Sequence, residues 1–201
     1  MIGPCLASNR SYLVPDEDSA RIEKLSGRPL VVWGPTKAVV TPFSPKSLNT
    51  EAAIKALVPD MTDAFVAGAW LVFDGKPLDK DQVMGAATSD AQDPRKRSFF
   101  GITKDGRLIV GATKNGATSS MLAEAAASAG AWTAVLLDSG FSTSLCVDGK
   151  TLAWGHRSAE GGSRPIPHAI VIKGELDPTV STEGMQTVEE AKPEPRRRRR
   201  R

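Results

Sequence analysis

The run Val135-Leu136-Leu137-Asp138-Ser139-Gly140-Phe141-Ser142-Thr143-Ser144 concentrates the groups best suited to chemistry. An apolar stretch of strand type, Ala134 to Leu137, delivers a carboxylate to its end, and a turn containing Gly140 then presents hydroxyl groups. A buried sheet offers chemistry at its rim in this way, on loops that a rigid scaffold positions. The same residues also suit an ordinary turn, in which Asp138 accepts from nearby backbone N–H groups and Gly140 supplies a positive φ. His156 and His168 invite a Ser142-Asp138-His hydrolase, but Gly140-Phe141-Ser142-Thr143-Ser144 is not the Gly-x-Ser-x-Gly elbow that such a site needs.

Several elements must position this stretch. A helix capped by Thr118, Ser119 or Ser120, with Leu122, Ala125, Ala126 and Ala129 as a narrow apolar stripe, ends at Gly130 and feeds the strand Trp132 to Leu137. Asp-Gly pairs punctuate the strands around it: Ala64 to Phe73 runs into Asp74-Gly75, Ser98 to Thr103 into Asp105-Gly106, and Leu145 to Val147 into Asp148-Gly149. Both residue types tolerate positive φ, so these pairs predict antiparallel hairpins. Nearer the amino terminus, Asn9 to Leu13 suits the end of a strand, and Pro15-Asp16-Glu17-Asp18 opens a helix that puts Ile22 and Leu25 on one face and closes at Gly27. Pro29 to Trp33 and Lys37 to Phe43 read as strands joined at Gly34-Pro35. Asn49 or Thr50 caps a short helix through Leu57 that Pro59 ends. Ile166 to Ile172 is expected as the last core strand. The fold class is therefore α+β, mostly antiparallel sheet with two or three packed helices, as a single domain over residues 1–173 and a disordered tail over 174–201.

Charge supports that division. The net charge is +3, yet Arg196 to Arg201 supply +6, residues 174–195 carry −5, and residues 1–173 are near +2. The basic pI thus belongs to the tail and implies no specific nucleic-acid partner for the domain. The arginine run itself reads either as a solvated tail or as a contact for anionic surfaces. No apolar run approaches the ~20 residues of a transmembrane helix. Met1 to Leu6 lacks the basic and long apolar regions of an export signal, so the chain is expected to stay in the cytoplasm or to have an incomplete start. Cys5 and Cys146 are too few for a disulfide scaffold and are expected as buried free thiols, with their pairing left open. The histidines and cysteines have no zinc-type spacing, and no metal or cofactor is expected.

Four segments, taken together, resemble the phosphodiester glycosidase family. Ala67-Gly68-Ala69-Trp70-Leu71-Val72-Phe73-Asp74-Gly75-Lys76 is similar to the family's Gly-Gly-Pro-Leu-Val-x-Asp-Gly-Lys hairpin. Arg97-Ser98-Phe99-Phe100-Gly101-Ile102, with Asp105-Gly106-Arg107-Leu108, resembles its Arg-Thr-Ala-Ile-Gly segment and the turn beyond. Leu137 to Thr143 resembles Leu-Asp-Gly-Gly-Gly-Ser-Ser/Thr, and Arg164-Pro165-Ile166-Pro167-His168-Ala169-Ile170-Val171 resembles Arg-Pro-Val-Pro-Asn-Ala-Leu-Val. Order and spacing agree over about residues 64–173. The segment Ser8 to Leu13 stands where the family carries Asn-Gly-Gly-Phe-Phe, which would place Met1 inside the usual domain; members are commonly exported or envelope-associated.

The resemblance implies hydrolysis of the sugar-to-phosphate bond in a sugar-1-phosphodiester of a glycan or cell-envelope polysaccharide. Asp138 would stabilise or attack the positively charged sugar of the transition state, with Glu160 as the second carboxylate. Arg97 and Arg164 would hold phosphate oxygens in bidentate fashion, while Ser142, Thr143, Gly140 and His168, which replaces the family's Asn, would contact substrate. Each has a plainer reading: an ion pair with Asp138 or a surface position for the arginines, turn or strand roles for the hydroxyls, a solvated loop for Glu160, the start of a strand for His168. Glycines of the family motifs have become Ala69, Ser139 and Phe141, and a proline Trp70, substitutions that would narrow the site, alter its specificity or close it. Trp70 and Phe141 are expected to fill core, with stacking on a sugar ring as the alternative. The rival from another class is a catalytically silent descendant that binds sugar phosphate or a protein partner.

Overall fold

Unbroken apolar runs dictate that the sheets be covered on both faces, since a strand open to water on one side alternates polar and apolar residues. Leu30-Val31-Val32 and Ala134-Val135-Leu136 are such runs, and all six residues are buried in the computed structural model. The structure describes residues 3–8, 10–12, 19–87, 89–155, 166 and 168–174. The first sheet is ordered β2 (Arg10–Tyr12), β1 (Cys5–Ala7), β5 (Asp63–Val66), β3 (Pro29–Trp33), β4 (Ala38–Pro42). The second is ordered β7 (Lys76–Pro77), β6 (Ala69–Phe73), β10 (Ala131–Leu136), β8 (Ser98–Thr103), β9 (Leu108–Ala112). A separate hairpin pairs β11 (Ser144–Val147) with β12 (Lys150–Trp154), and every pairing is antiparallel. Four helices complete the described residues: α1 (Ser19–Glu23), α2 (Glu51–Lys55), α3 (Lys80–Ala86) and α4 (Ser119–Ser128).

The period-2 alternation of each strand sorts these elements into layers. Leu30 and Val32 of β3 join Ile22, Leu25, Phe43 and Ile54 in one core beneath α1 and α2. Trp33 points the other way, edge-on to Phe65 at 5.8 Å and stacked on Phe100 of β8 at 5.7 Å. Phe99, Ala134 and Leu136 face a second core with Val83 of α3 and Leu122, Ala123 and Ala126 of α4. The fold is thus α+β: two antiparallel sheets meet through aromatic rings, and helices cover their outer faces.

The elements follow local chemistry closely, with instructive exceptions. Thr50 and Thr118 cap α2 and α4, accepting from Ala53 N–H and Met121 N–H. Asp74-Gly75 and Asp148-Gly149 turn their hairpins with positive φ at both residues. The run Ala64 to Phe73, expected as one strand, breaks at Ala67-Gly68 and supplies β5 to one sheet and β6 to the other. Helix α3 was not expected from the apolar pattern, although Asp79 and Gln82 form a reciprocal capping box at its start. The buried stripe of α4 is Ser119, Leu122, Ala123 and Ala126, with Ala125 and Ala129 exposed, a rotation of the expected face. An alanine-rich helix offers little contrast between its faces, so the lone leucine sets the orientation. The free cysteines divide, Cys5 buried and Cys146 exposed, where both were expected inside.

Residues 1–167 form one compact unit and 168–201 another. The expected strand Ile166 to Ile172 is not formed by its described residues. Ile166 sits between Pro165 and Pro167, which have no N–H to give a ladder, and Val171 is 75% exposed. The helix start at Pro15 to Asp18 and the tail from Glu175 onward lie outside the described residues. Among the described residues no helix is long and apolar enough to cross a membrane.

Because Phe100 is 1% exposed and carries the ring contact between the sheets, Phe100→Ala is expected to lower the unfolding free energy by about 3–5 kcal/mol. Met121→Ala, on the exposed side of α4, should stay within about 0.5 kcal/mol. Urea titrations of the two variants compare them directly.

Candidate active site at the end of the central strand

Strand β10 lies between β6 and β8, so the segments resembling three of the four family motifs run side by side. Its ladder continues one residue past the strand, where Leu137 N–H donates to Ser98 O at 3.0 Å. The chain then leaves the sheet and Asp138 stands exposed, its Oδ1 accepting from Ser139 N–H at 2.8 Å. The Ser98 hydroxyl donates to the Asp138 carbonyl at 3.4 Å. A carboxylate at the rim of a doubly flanked strand is thereby fixed through its backbone on one side and its own turn on the other.

The turn itself hangs on one carbonyl. Gly140, at φ +66°, donates its N–H to Lys96 O at 2.8 Å, and the Thr143 hydroxyl donates to the same oxygen at 2.9 Å. Thr143 N–H closes the 3₁₀ turn Gly140–Ser142 onto Gly140 O at 3.1 Å. Three residues per turn set successive side chains about 120° apart. Ser142 therefore turns inward and is buried, while Phe141 turns outward and is 57% exposed. Thr143 is wholly buried.

Arg97 lies beneath this turn, 2% exposed. Its Nε donates to Ala117 O at 2.8 Å, Nη1 to Ser139 Oγ at 3.2 Å, and Nη2 to Asp90 O at 3.0 Å and Asp93 O at 2.7 Å. Four of the five guanidinium hydrogens thus go to protein acceptors. Burial pushes its pKa below the ordinary arginine value, and the Asp90 carboxylate pushes it back up; a guanidinium so placed stays charged. Arg95 neutralises the same loop from outside, pairing with Asp90 at 2.7 Å and Asp93 at 3.4 Å.

The end of β12 closes the site from the other side. Gly155 lies so close that a methyl group there would overlap the Gly140 carbonyl oxygen and stand 2.7 Å from Phe141 Cα. Its neighbour Trp154 carries the Lys96 ammonium over its ring at 5.0 Å. One strand end, one carbonyl and one glycine contact therefore converge on residues 138–143.

The structure brings Asp138, Gly140, Ser142, Thr143 and Arg97 into one neighbourhood, in different positions. Asp138 faces out; Thr143 and Arg97 support the turn from within; Ser142 is buried; Gly140 acts through its backbone. Arg97 bonds backbone carbonyls and the Ser139 hydroxyl, a role that neither its phosphate reading nor its ion-pair reading anticipated. Glu160, Arg164 and His156 lie outside the described residues, and His168, half-buried, belongs to the second unit. Trp70 packs, with Nε1 donating to Gly27 O at 3.0 Å and its ring edge-on to Phe73. Sequence reasoning passed over Lys96, Trp154 and Gly155; the dipeptide Trp154-Gly155 after a hairpin strand was the one available cue. Among the described residues no group of three or more His, Cys, Asp or Glu side chains is placed to hold a metal.

The phosphodiester glycosidase family model matches residues 16–173. The chain belongs to the phosphodiester glycosidase family. Among solved structures it is similar to the zebrafish N-acetylglucosamine-1-phosphodiester alpha-N-acetylglucosaminidase catalytic domain auto-inhibited by pro-peptide, with a TM-score of 0.53 and 15% identity. That likeness covers 76% of this chain and 50% of the other, so the chain spans half the length of this relative, and at such identity it speaks for the fold alone. A hypothetical protein from Synechocystis is more distant in structure, with a TM-score of 0.41 and 20% identity over 65% of this chain and 31% of that one. No curated protein matches.

Gly155→Ala tests the packing of the turn. The added methyl meets backbone rather than a movable side chain, so a loss of about 1–3 kcal/mol is expected. Gly149→Ala, which meets no neighbouring atom but sits at φ +71°, should cost about 1–2 kcal/mol through backbone strain alone. Nuclear magnetic resonance separates them: only the first should shift the amide resonances of residues 138–143.

Proposed function

We propose that this chain hydrolyses the bond between the anomeric carbon and the phosphate oxygen in a sugar-1-phosphodiester of a glycan or cell-envelope polysaccharide. The supporting observation is the exposed Asp138 carboxylate on a rigid strand end, in a chain of the phosphodiester glycosidase family. As the bond from the sugar carbon to the phosphate oxygen breaks, its electron pair leaves with the phosphate and positive charge spreads over the ring carbon and oxygen. A fixed carboxylate beside that carbon stabilises the charge or bonds to it, and water then completes the hydrolysis. The products are the free sugar and a phosphomonoester.

Phosphate leaves readily, so a cation near its oxygens replaces much of the acid assistance that an alkyl glycoside requires. Lys96, whose carbonyl carries the turn and whose ammonium lies over Trp154, is a described cation tied to this turn. Arg164 joins it in this reading, and Glu160 directs the water, both on their sequence positions. Arg97 serves as a positioning residue through Ser139 and the backbone of residues 90–93.

Release of free sugar from a panel of sugar-1-phosphodiesters tests the reading. Wild-type protein should turn over at least one member, and Asp138→Asn should lower kcat by about 100- to 1000-fold without loss of fold. A folded wild type that binds sugar phosphates and releases no sugar would overturn the hydrolase and leave a binding protein.

A further inference from the structure

We infer that the outer edge of β9 pairs with the same edge of a second copy of this chain, antiparallel and about a two-fold axis through Val110. The pairing joins the second sheets of two molecules and does not depend on the proposed reaction. Its ground is the hydrogen-bond phase of the strand. β8 and β9 pair without a register shift, from Ser98 with Ala112 to Ile102 with Leu108. At the two ends of the ladder Thr113 N–H donates to Arg97 O at 2.8 Å and Thr103 N–H to Arg107 O at 2.9 Å. Bonded and non-bonded pairs alternate along an antiparallel ladder, so Ile109 and Gly111 turn their backbone groups to β8, while Leu108, Val110 and Ala112 direct theirs outward. Among the described residues no strand pairs with that outer edge; β11 comes near it but pairs only with β12.

An open edge is a template for another strand, and proteins ordinarily blunt it with short strands, proline or charge. The other edges of the two five-stranded sheets are blunted in this way: β7 is two residues long and includes Pro77, β4 ends in Pro42, and β2 has three residues. β9 carries none of these devices. Leu108-Ile109-Val110-Gly111-Ala112 is uncharged, and Leu108 and Val110 are 43% and 38% exposed. A partner strand must present outward backbone groups in the same phase. Under a two-fold through Val110, Val110 faces Val110 of the second copy and Leu108 faces Ala112, so every outward residue meets an outward residue and each such pair exchanges N–H to O=C bonds in both directions. The side chains agree with that register: Leu108 against Ala112 and Ile109 against Gly111 set large beside small, and Val110 meets its twin on the face it shares with Phe100. The charges agree as well. Arg107 falls opposite Thr113, and Lys114 opposite Gly106 beside Asp105, so no like charges stand opposite one another. A two-fold uses up the edge in both copies, and the assembly closes as a dimer.

Sedimentation velocity on the full chain over a concentration series tests the pairing. The wild type should pass from monomer toward dimer as concentration rises. Amide exchange should slow with it at Leu108, Val110 and Ala112, while Ile109 and Gly111, already bonded to β8, keep their rates. Val110→Lys and Val110→Glu each set like charges opposite one another on the axis and should each weaken association about tenfold or more, with unchanged circular dichroism because the side chain is exposed. An equimolar mixture of the two variants should recover dimers, since only the mixed pair sets opposite charges face to face. A wild type that stays monomeric at every concentration, association indifferent to both substitutions, or a mixture that remains monomeric would each overturn the pairing.

Discussion

The buried Arg97 guanidinium is the interaction on which the site depends. Taking a charge out of water costs several kcal/mol, about as much as many single substitutions, and is offset only when the charge finds well-directed partners. Arg97 finds four acceptors, and they come from three places in the chain: the loop at residues 90–93, the carbonyl of Ala117 just before α4, and Ser139 in the turn after β10. One side chain thus ties the segment entering β8, the start of the helix that feeds β10, and the turn that leaves it. Its backbone N–H adds a fourth link, donating to Thr113 Oγ1 at 2.9 Å just past the end of β9.

In the proposed reaction, that anchoring gives the carboxylate its chemical value. A charge that must stabilise a developing positive centre contributes most when it is already in place and nothing need reorganise as the reaction proceeds. Central position in the sheet, the shared Lys96 carbonyl and the Gly155 contact all act on the same six residues. The departures from the family's motifs have defined places in this frame. Ser139 becomes the acceptor for Arg97, Trp70 becomes packing, and Phe141 becomes the exposed surface.

Much of the fold is legible because its signals are local. Strand β3 and strand β8 coincide with their apolar runs, and both capping threonines lie where short-range hydrogen bonding places them. The break at Gly68 is not local: Ala64 to Phe73 is apolar throughout, and only the choice between two sheets divides it. In the site, the residues were visible but their directions were not. Whether Phe141 or Ser142 faces water depends on a 3₁₀ turn whose pitch differs from that of a strand, and whether Arg97 meets a ligand or a carbonyl depends on the loop at residues 90–93, remote in sequence from Ser139. Residue types therefore marked the Asp138 turn as a candidate site before they could say which side chains support it and which meet solvent.

Amide hydrogen exchange on wild type and Arg97→Lys measures the central claim most directly, that the buried guanidinium holds the Asp138 turn. Lysine keeps the charge but cannot reach four divergent acceptors. Protection at Leu137, Gly140 and Thr143, whose N–H groups donate to Ser98 O, Lys96 O and Gly140 O, should collapse by about tenfold or more, while amides of the first sheet such as Val31 and Phe65 keep theirs. Equal protection of the turn in both proteins would contradict the account and return Arg97 to the role of an ordinary core contact.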